Sequence, residues 1–171
     1  VTDHRSKEQP RCLSVAEVGD AFLVDGSWRD VYVLKTGTAE WDTMLRWLEQ
    51  EYGDAVRYSF EGLHGPIPAS SSEIFASRES GSPWLEVDLE GLILKCHFFS
   101  SEEIEFDLDP KEVNDFRFRA LQHFMRSLGT LLGKSVLVTQ ENRQMSPVLV
   151  YITEINRIVT IGRVDREEWE S

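Results

Sequence analysis

Residues 84–110, WLEVDLEGLILKCHFFSSEEIEFDLDP, can be folded on paper in a single consistent register, and that register limits the chain more than any other segment does. Glu90-Gly91 suits the two-residue turn of a β-hairpin. It sets Leu89 opposite Leu92, Val87 opposite Leu94 and Leu85 opposite Cys96 on one face, with Trp84 opposite His97, Glu86 opposite Lys95 and Asp88 opposite Ile93 on the other. A slip of one residue would carry every apolar side chain to the wrong face, so the pattern selects its own pairing. A three-residue loop, Ser100-Ser101-Glu102, then brings Ile104, Phe106 and Leu108 onto the apolar face and sends Glu103, Glu105, Asp107 and Asp109 to the polar one. His97 is expected between Trp84 and Glu105, and Lys95 between Glu86 and Asp107.

The flanking sequence predicts helices and further strands. Thr38 reads as the N-cap of a helix over 39–52, with Trp41, Met44, Leu45, Leu48 and Tyr52 on one stripe and Gly53 as its stop. Trp47 lies off that stripe and is expected at the edge of the core. Val31–Lys35 and Val56–Phe60 read as strands, EGLHGPIPASSSE as a surface loop, and Ser72 as the cap of a short helix over Glu73–Ser77. Asp109 and Pro110 start a long helix that Gly133 ends, with Val113, Phe116, Ala120, Leu121, Phe124, Leu128, Leu131 and Leu132 as its buried stripe. Ser135–Thr139, Val148–Ile152 and Arg157–Ile161 are the closing strands. The order of elements predicts an α+β fold: a mainly antiparallel sheet, two principal helices packed on one face, the opposite face exposed. Residues 1–11 read as a disordered tail and 12–171 as a single domain.

Charge narrows the functional classes. Thirty acidic against 18 basic residues leave a net charge of −12, which repels nucleic acid and anionic lipid surfaces. Eleven of the acids, against three bases, fall within 73–112. No apolar run is long enough to span a bilayer, and two distant cysteines, Cys12 and Cys96, read as reduced thiols in a cytoplasmic protein. No P-loop, GxGxxG, GxSxG, HExxH or paired CxxC motif occurs, so the expectation is a non-catalytic domain without a cofactor. Cys96 and His97, adjacent in a strand, point to opposite faces and cannot act as a dyad. His97 and Glu105 with His64 are an alternative metal-binding or acid–base set. The remaining lead is the carboxylate rows. Trp84, Glu86, Asp88, His97, Glu103, Glu105 and Asp107, with Phe99 at the edge, form an anionic surface with apolar anchors, suited to a basic protein partner. A homo-oligomer, with this surface meeting the Arg119, His123 and Arg126 face of a second copy, is the third alternative.

The segments CHFFSSEEIEFDLDP, residues 96–110, and LGKSVLVTQEN, residues 132–142, resemble those of uncharacterised bacterial proteins, a likeness that implies no activity. In size, acidity and lack of catalytic motifs the chain is also similar to the small acidic immunity proteins of bacterial toxin systems. That resemblance implies an inhibitor whose acidic surface occludes the basic site of a toxin.

Overall fold

Chemistry at the turns fixes the sheet. The computed structural model describes residues 10–162. In chain order its elements are β1 (Arg29–Leu34), α1 (Thr38–Tyr52), β2 (Val56–Phe60), β3 (Leu63–Gly65), α2 (Ser71–Ser77), β4 (Pro83–Leu89), β5 (Leu92–His97), β6 (Glu103–Leu108), α3 (Asp115–Leu132), β7 (Val136–Gln140), β8 (Pro147–Ile152) and β9 (Arg157–Thr160). Glu90 and Gly91 take φ of 55° and 95°, the left-handed pair that a tight hairpin turn requires. The β4–β5 register is the expected one, from Trp84 opposite His97 to Leu89 opposite Leu92. β6 adds with Lys95 opposite Asp107 and His97 opposite Glu105. All nine strands form one antiparallel sheet in the order β3-β2-β4-β5-β6-β1-β7-β8-β9. The fold is therefore α+β.

The main core lies between one face of this sheet and the helices. Leu85, Val87, Leu94, Cys96, Ile104 and Phe106 from the sheet pack with Trp41, Met44 and Leu48 of α1 and Phe118, Leu121, Phe124 and Leu128 of α3. Trp47 lies partly buried at the margin, against Tyr52 and Phe124, as its position off the stripe predicts. At the end of β1 the core-facing residue is an arginine. Arg29 is buried, and its guanidinium donates to the carbonyls of Ala21, Leu23 and Trp28 and to Ser27 Oγ at 2.6–2.9 Å. These bonds anchor the irregular segment before β1, whose Phe22 packs edge-on against Phe118.

Several expectations need correction. α1 is capped by Gly37 rather than Thr38, with the Glu40 carboxylate accepting the Gly37 N–H at 2.9 Å. α2 is capped by Ser70 rather than Ser72. The loop after β2 contains a second Glu-Gly turn, Glu61-Gly62, with φ of 51° and 78°, which adds β3 as an edge strand. Asp109 caps only a 3-10 turn, Pro110–Glu112; extended backbone at Val113 interrupts it, and Asn114 caps α3 instead. This restart rotates the helix, so Phe118, Gln122 and Met125 are buried while Phe116 and Leu131, expected in the core, are exposed. Strands β7–β9 carry apolar residues on both faces. Tyr32, Leu137 and Val150 form a second small cluster on the sheet face away from the helices, so that face is polar only over its other half. Of the tail expected over 1–11, residues 1–9 lie outside the described residues.

α3 and β8 meet at Gly129, where an added Cβ would lie 2.4 Å from the Tyr151 ring and 2.9 Å from the Lys134 carbonyl oxygen. Alanine gains up to about 1 kcal/mol in helix propensity, but overpacking against a buried ring and fixed backbone costs about 1–3 kcal/mol. Gly129→Ala is therefore expected to lower stability in denaturant unfolding; an unchanged or raised midpoint would show that the contact has room.

Candidate functional site

Antiparallel register lays the polar face out in rows that cross the strands. One row runs His64 (β3), Ser59 (β2), Trp84 (β4), His97 (β5), Glu105 (β6), Tyr32 (β1) and Leu137 (β7). The next runs Arg57, Glu86, Lys95, Asp107, Asp30 and Thr139. Every predicted partner-binding residue lies on this face: Asp88 is exposed, and Trp84, Glu86, His97, Glu103, Glu105 and Asp107 are half-buried. The cluster on this face includes no helical residue.

The rows show where the negative charge gathers. Glu86 stands in register between Arg57 and Lys95, so its charge has cationic neighbours on both sides. Carboxylates are most crowded at the β6–β1 seam, where Asp107, flanked by Lys95 on one side, faces Asp30 on the other and Glu103 faces Leu34. Aromatic rings define the other end. Phe99, 55% exposed, stacks on His97 at 5.0 Å with 13° between the planes, and Lys95 Nζ sits 4.4 Å above the Trp84 ring. Trp84, His97 and Phe99 line a cleft of about 410 Å³ together with Lys95 and Arg78.

Hydrogen bonding differs from the sequence expectation in one respect. His97 Nε2 meets Asp107 Oδ2 at 2.8 Å, a diagonal pair, and not Glu105 directly across the ladder. Glu105 bonds instead to Tyr32, opposite it on β1, and feels the charge of Asp30, two residues that the sequence pattern does not single out. Asp30 is buried, and its Oδ2 accepts from the Asn142 N–H at 2.7 Å and from Tyr32 Oη at 3.3 Å. The Gln144 side-chain amide donates to Glu103 Oε2. The β7–β8 loop is thereby tied to Asp30 and to Glu103, which takes those two carboxylates out of the freely available set. Alternation in β1, Asp30 and Tyr32 against Val31 and Val33, marks Asp30 and Tyr32 as facing the polar side; no local signal places β1 beside β6.

The metal alternative is corrected by the same rows. His64 and His97 lie three strand spacings apart, about 14 Å at roughly 4.8 Å per strand, with Ser59 and Trp84 between them. His64 packs edge-on against Trp84 at 6.0 Å. Among the described residues no group of three His, Cys, Asp or Glu side chains is placed to hold a metal ion. The basic face expected on α3 also divides: Arg119 and His123 line a cleft with Asp88 and Glu90, whereas Arg126 reaches back to the N-terminal segment. No helix among the described residues is long and apolar enough to cross a membrane. No family model, curated protein or solved structure matches the chain.

Burial raises the pKa of Asp30 and of Glu105; like charges add to this, from Asp107 and Glu141 on Asp30 and from Asp30 and Glu103 on Glu105. A carboxyl whose folded pKa lies above its unfolded value binds its proton more tightly in the folded chain. Stability from such a group is present below the unfolded value and is lost as pH rises through the folded one. Unfolding midpoints are thus expected to rise as pH falls from 7 toward the ordinary carboxyl range of about 4, and Glu105→Gln should shallow that slope and raise the midpoint at pH 7. A variant with the wild-type slope would contradict the assignment.

Proposed function

We propose that the helix-free face captures a basic protein, and that the chain acts as a non-catalytic, immunity-type inhibitor of a basic toxin or effector. The observation that carries this reading is the convergence of Trp84, Glu86, His97 and Asp107 on the sheet face opposite the main core, with Asp88 exposed at its α3 edge and Phe99 exposed at its rim. Long-range attraction to the β6–β1 carboxylates would speed encounter with a cationic surface. The Trp84 and Phe99 rings beside the 410 Å³ cleft would hold an inserted side chain and slow release. Repulsion among Asp30, Glu103, Glu105 and Asp107 weakens the free chain, and a partner's arginines or lysines would relieve it, so binding and stability are linked. Glu103 and Glu105 contribute to the field rather than to direct contact, because Gln144 and Tyr32 already engage them. A cytoplasmic location accords with the two free thiols, Cys12 and Cys96.

The test is binding kinetics with a basic protein recovered on the immobilised chain, measured from about 50 to 500 mM salt, a range over which the Debye length falls severalfold. Association is expected to slow at least tenfold across that range and to slow comparably in Glu86→Lys combined with Asp88→Lys. Trp84→Ala is expected to act on dissociation instead. An association rate indifferent both to salt and to charge reversal would refute the mechanism.

A further inference from the structure

We propose that a second site, independent of the acidic face, binds an organic phosphate in a cleft between the N-terminal segment, α3 and the start of β9. The cleft has a volume of about 770 Å³, within the range typical of small-molecule sites. Three arginines line it, Arg11, Arg126 and Arg157, with Leu13, Ile155 and Ile158 as apolar wall and no carboxylate among the described lining residues. In a chain of net charge −12 this is a local reversal of sign, made by three segments far apart in sequence that folding brings together.

The charges are not equivalent. Arg11 is paired with Glu17, whereas neither Arg126 nor Arg157 has an ion-pair partner among the described residues. Arg126 is held in place: Nη2 donates to the Arg11 carbonyl at 2.9 Å, and Nη1 lies 3.7 Å from Cys12 Sγ. Its Nε is shielded from solvent and meets no acceptor, so the fold leaves the charge of this guanidinium without an anionic partner among the described residues. A guanidinium fixed before binding offers its remaining Nη–H groups to an oxyanion at little entropic cost. Two uncompensated guanidinium groups match a doubly charged oxyanion, which at neutral pH a phosphate monoester supplies and a carboxylate does not. Ile155, 55% exposed at the cleft, and the buried Ile158 give the organic part of such a molecule an apolar surface.

Calorimetric titration of the full chain with phenyl phosphate, inorganic phosphate and benzoate tests the site. Phenyl phosphate is expected to bind at least tenfold more tightly than benzoate, and inorganic phosphate to bind more weakly than the ester. Arg157→Ala, at an exposed position, should weaken phenyl phosphate binding at least tenfold without moving the unfolding midpoint. Glu86→Lys with Asp88→Lys, on the opposite side of the sheet, should leave it intact, which separates this site from the protein-binding face. Absence of saturable phenyl phosphate binding up to about 10 mM, equal affinity for benzoate, or indifference to Arg157→Ala would each overturn the proposal.

Discussion

Cross-strand register is the constraint on which the structure depends. Glu90 and Gly91, both at positive φ, fix the β4–β5 pairing, and each later strand inherits its facing from that turn. Had the hairpin closed one residue away, Glu86, Asp88 and the β6 acids would face α1 and α3, where an unpaired buried charge costs several kcal/mol. The alternation that keeps Leu85, Val87, Leu94 and Cys96 in the core thus also gathers the carboxylates on the other side. Packing and surface chemistry follow from one geometric choice.

The polar face is graded rather than uniform. Across β2, β4 and β5 it alternates in sign, Arg57, Glu86, Lys95, and carries the aromatic rings. At the β6–β1 seam acids outnumber bases, and there burial and mutual repulsion raise the pKa of Asp30 and Glu105. Over β7–β9 it becomes apolar and closes on itself around Tyr32, Leu137 and Val150. The β7–β8 loop ties these regions together through Asn142 and Gln144. A docking protein would therefore meet rings and exposed acids first, with the densest negative charge set deeper behind them.

Local pattern carried the meander, α1 and the closing strands because each is specified by period and turn chemistry within a dozen or so residues. Long-range placement was not legible in that way. β1 lies between β6 and β7, partners more than sixty residues downstream, so Asp30 and Tyr32 joined the site without a local sign. The diagonal choice of Asp107 by His97 depends on side-chain reach, which register alone does not fix. At α3 two capping signals competed. Asp109-Pro110 is a strong start, but it caps a single turn, and the weaker Asn114 sets the helix phase that exposes Phe116. The Glu61-Gly62 turn carries little signal because the strand it opens is short and exposed, with no alternation to announce it.

Capture of a basic protein by this face thus depends on a particular distribution of solvent-accessible carboxylates. Carbodiimide labelling of the native chain, read residue by residue by mass spectrometry, measures that distribution directly. Early modification of Asp88 and Glu86, slower reaction of Glu103 and Glu105, and Asp30 last of all is the predicted order. Rapid labelling of Asp30, or protection of Asp88 and Glu86, would mean that the open face is not built as described.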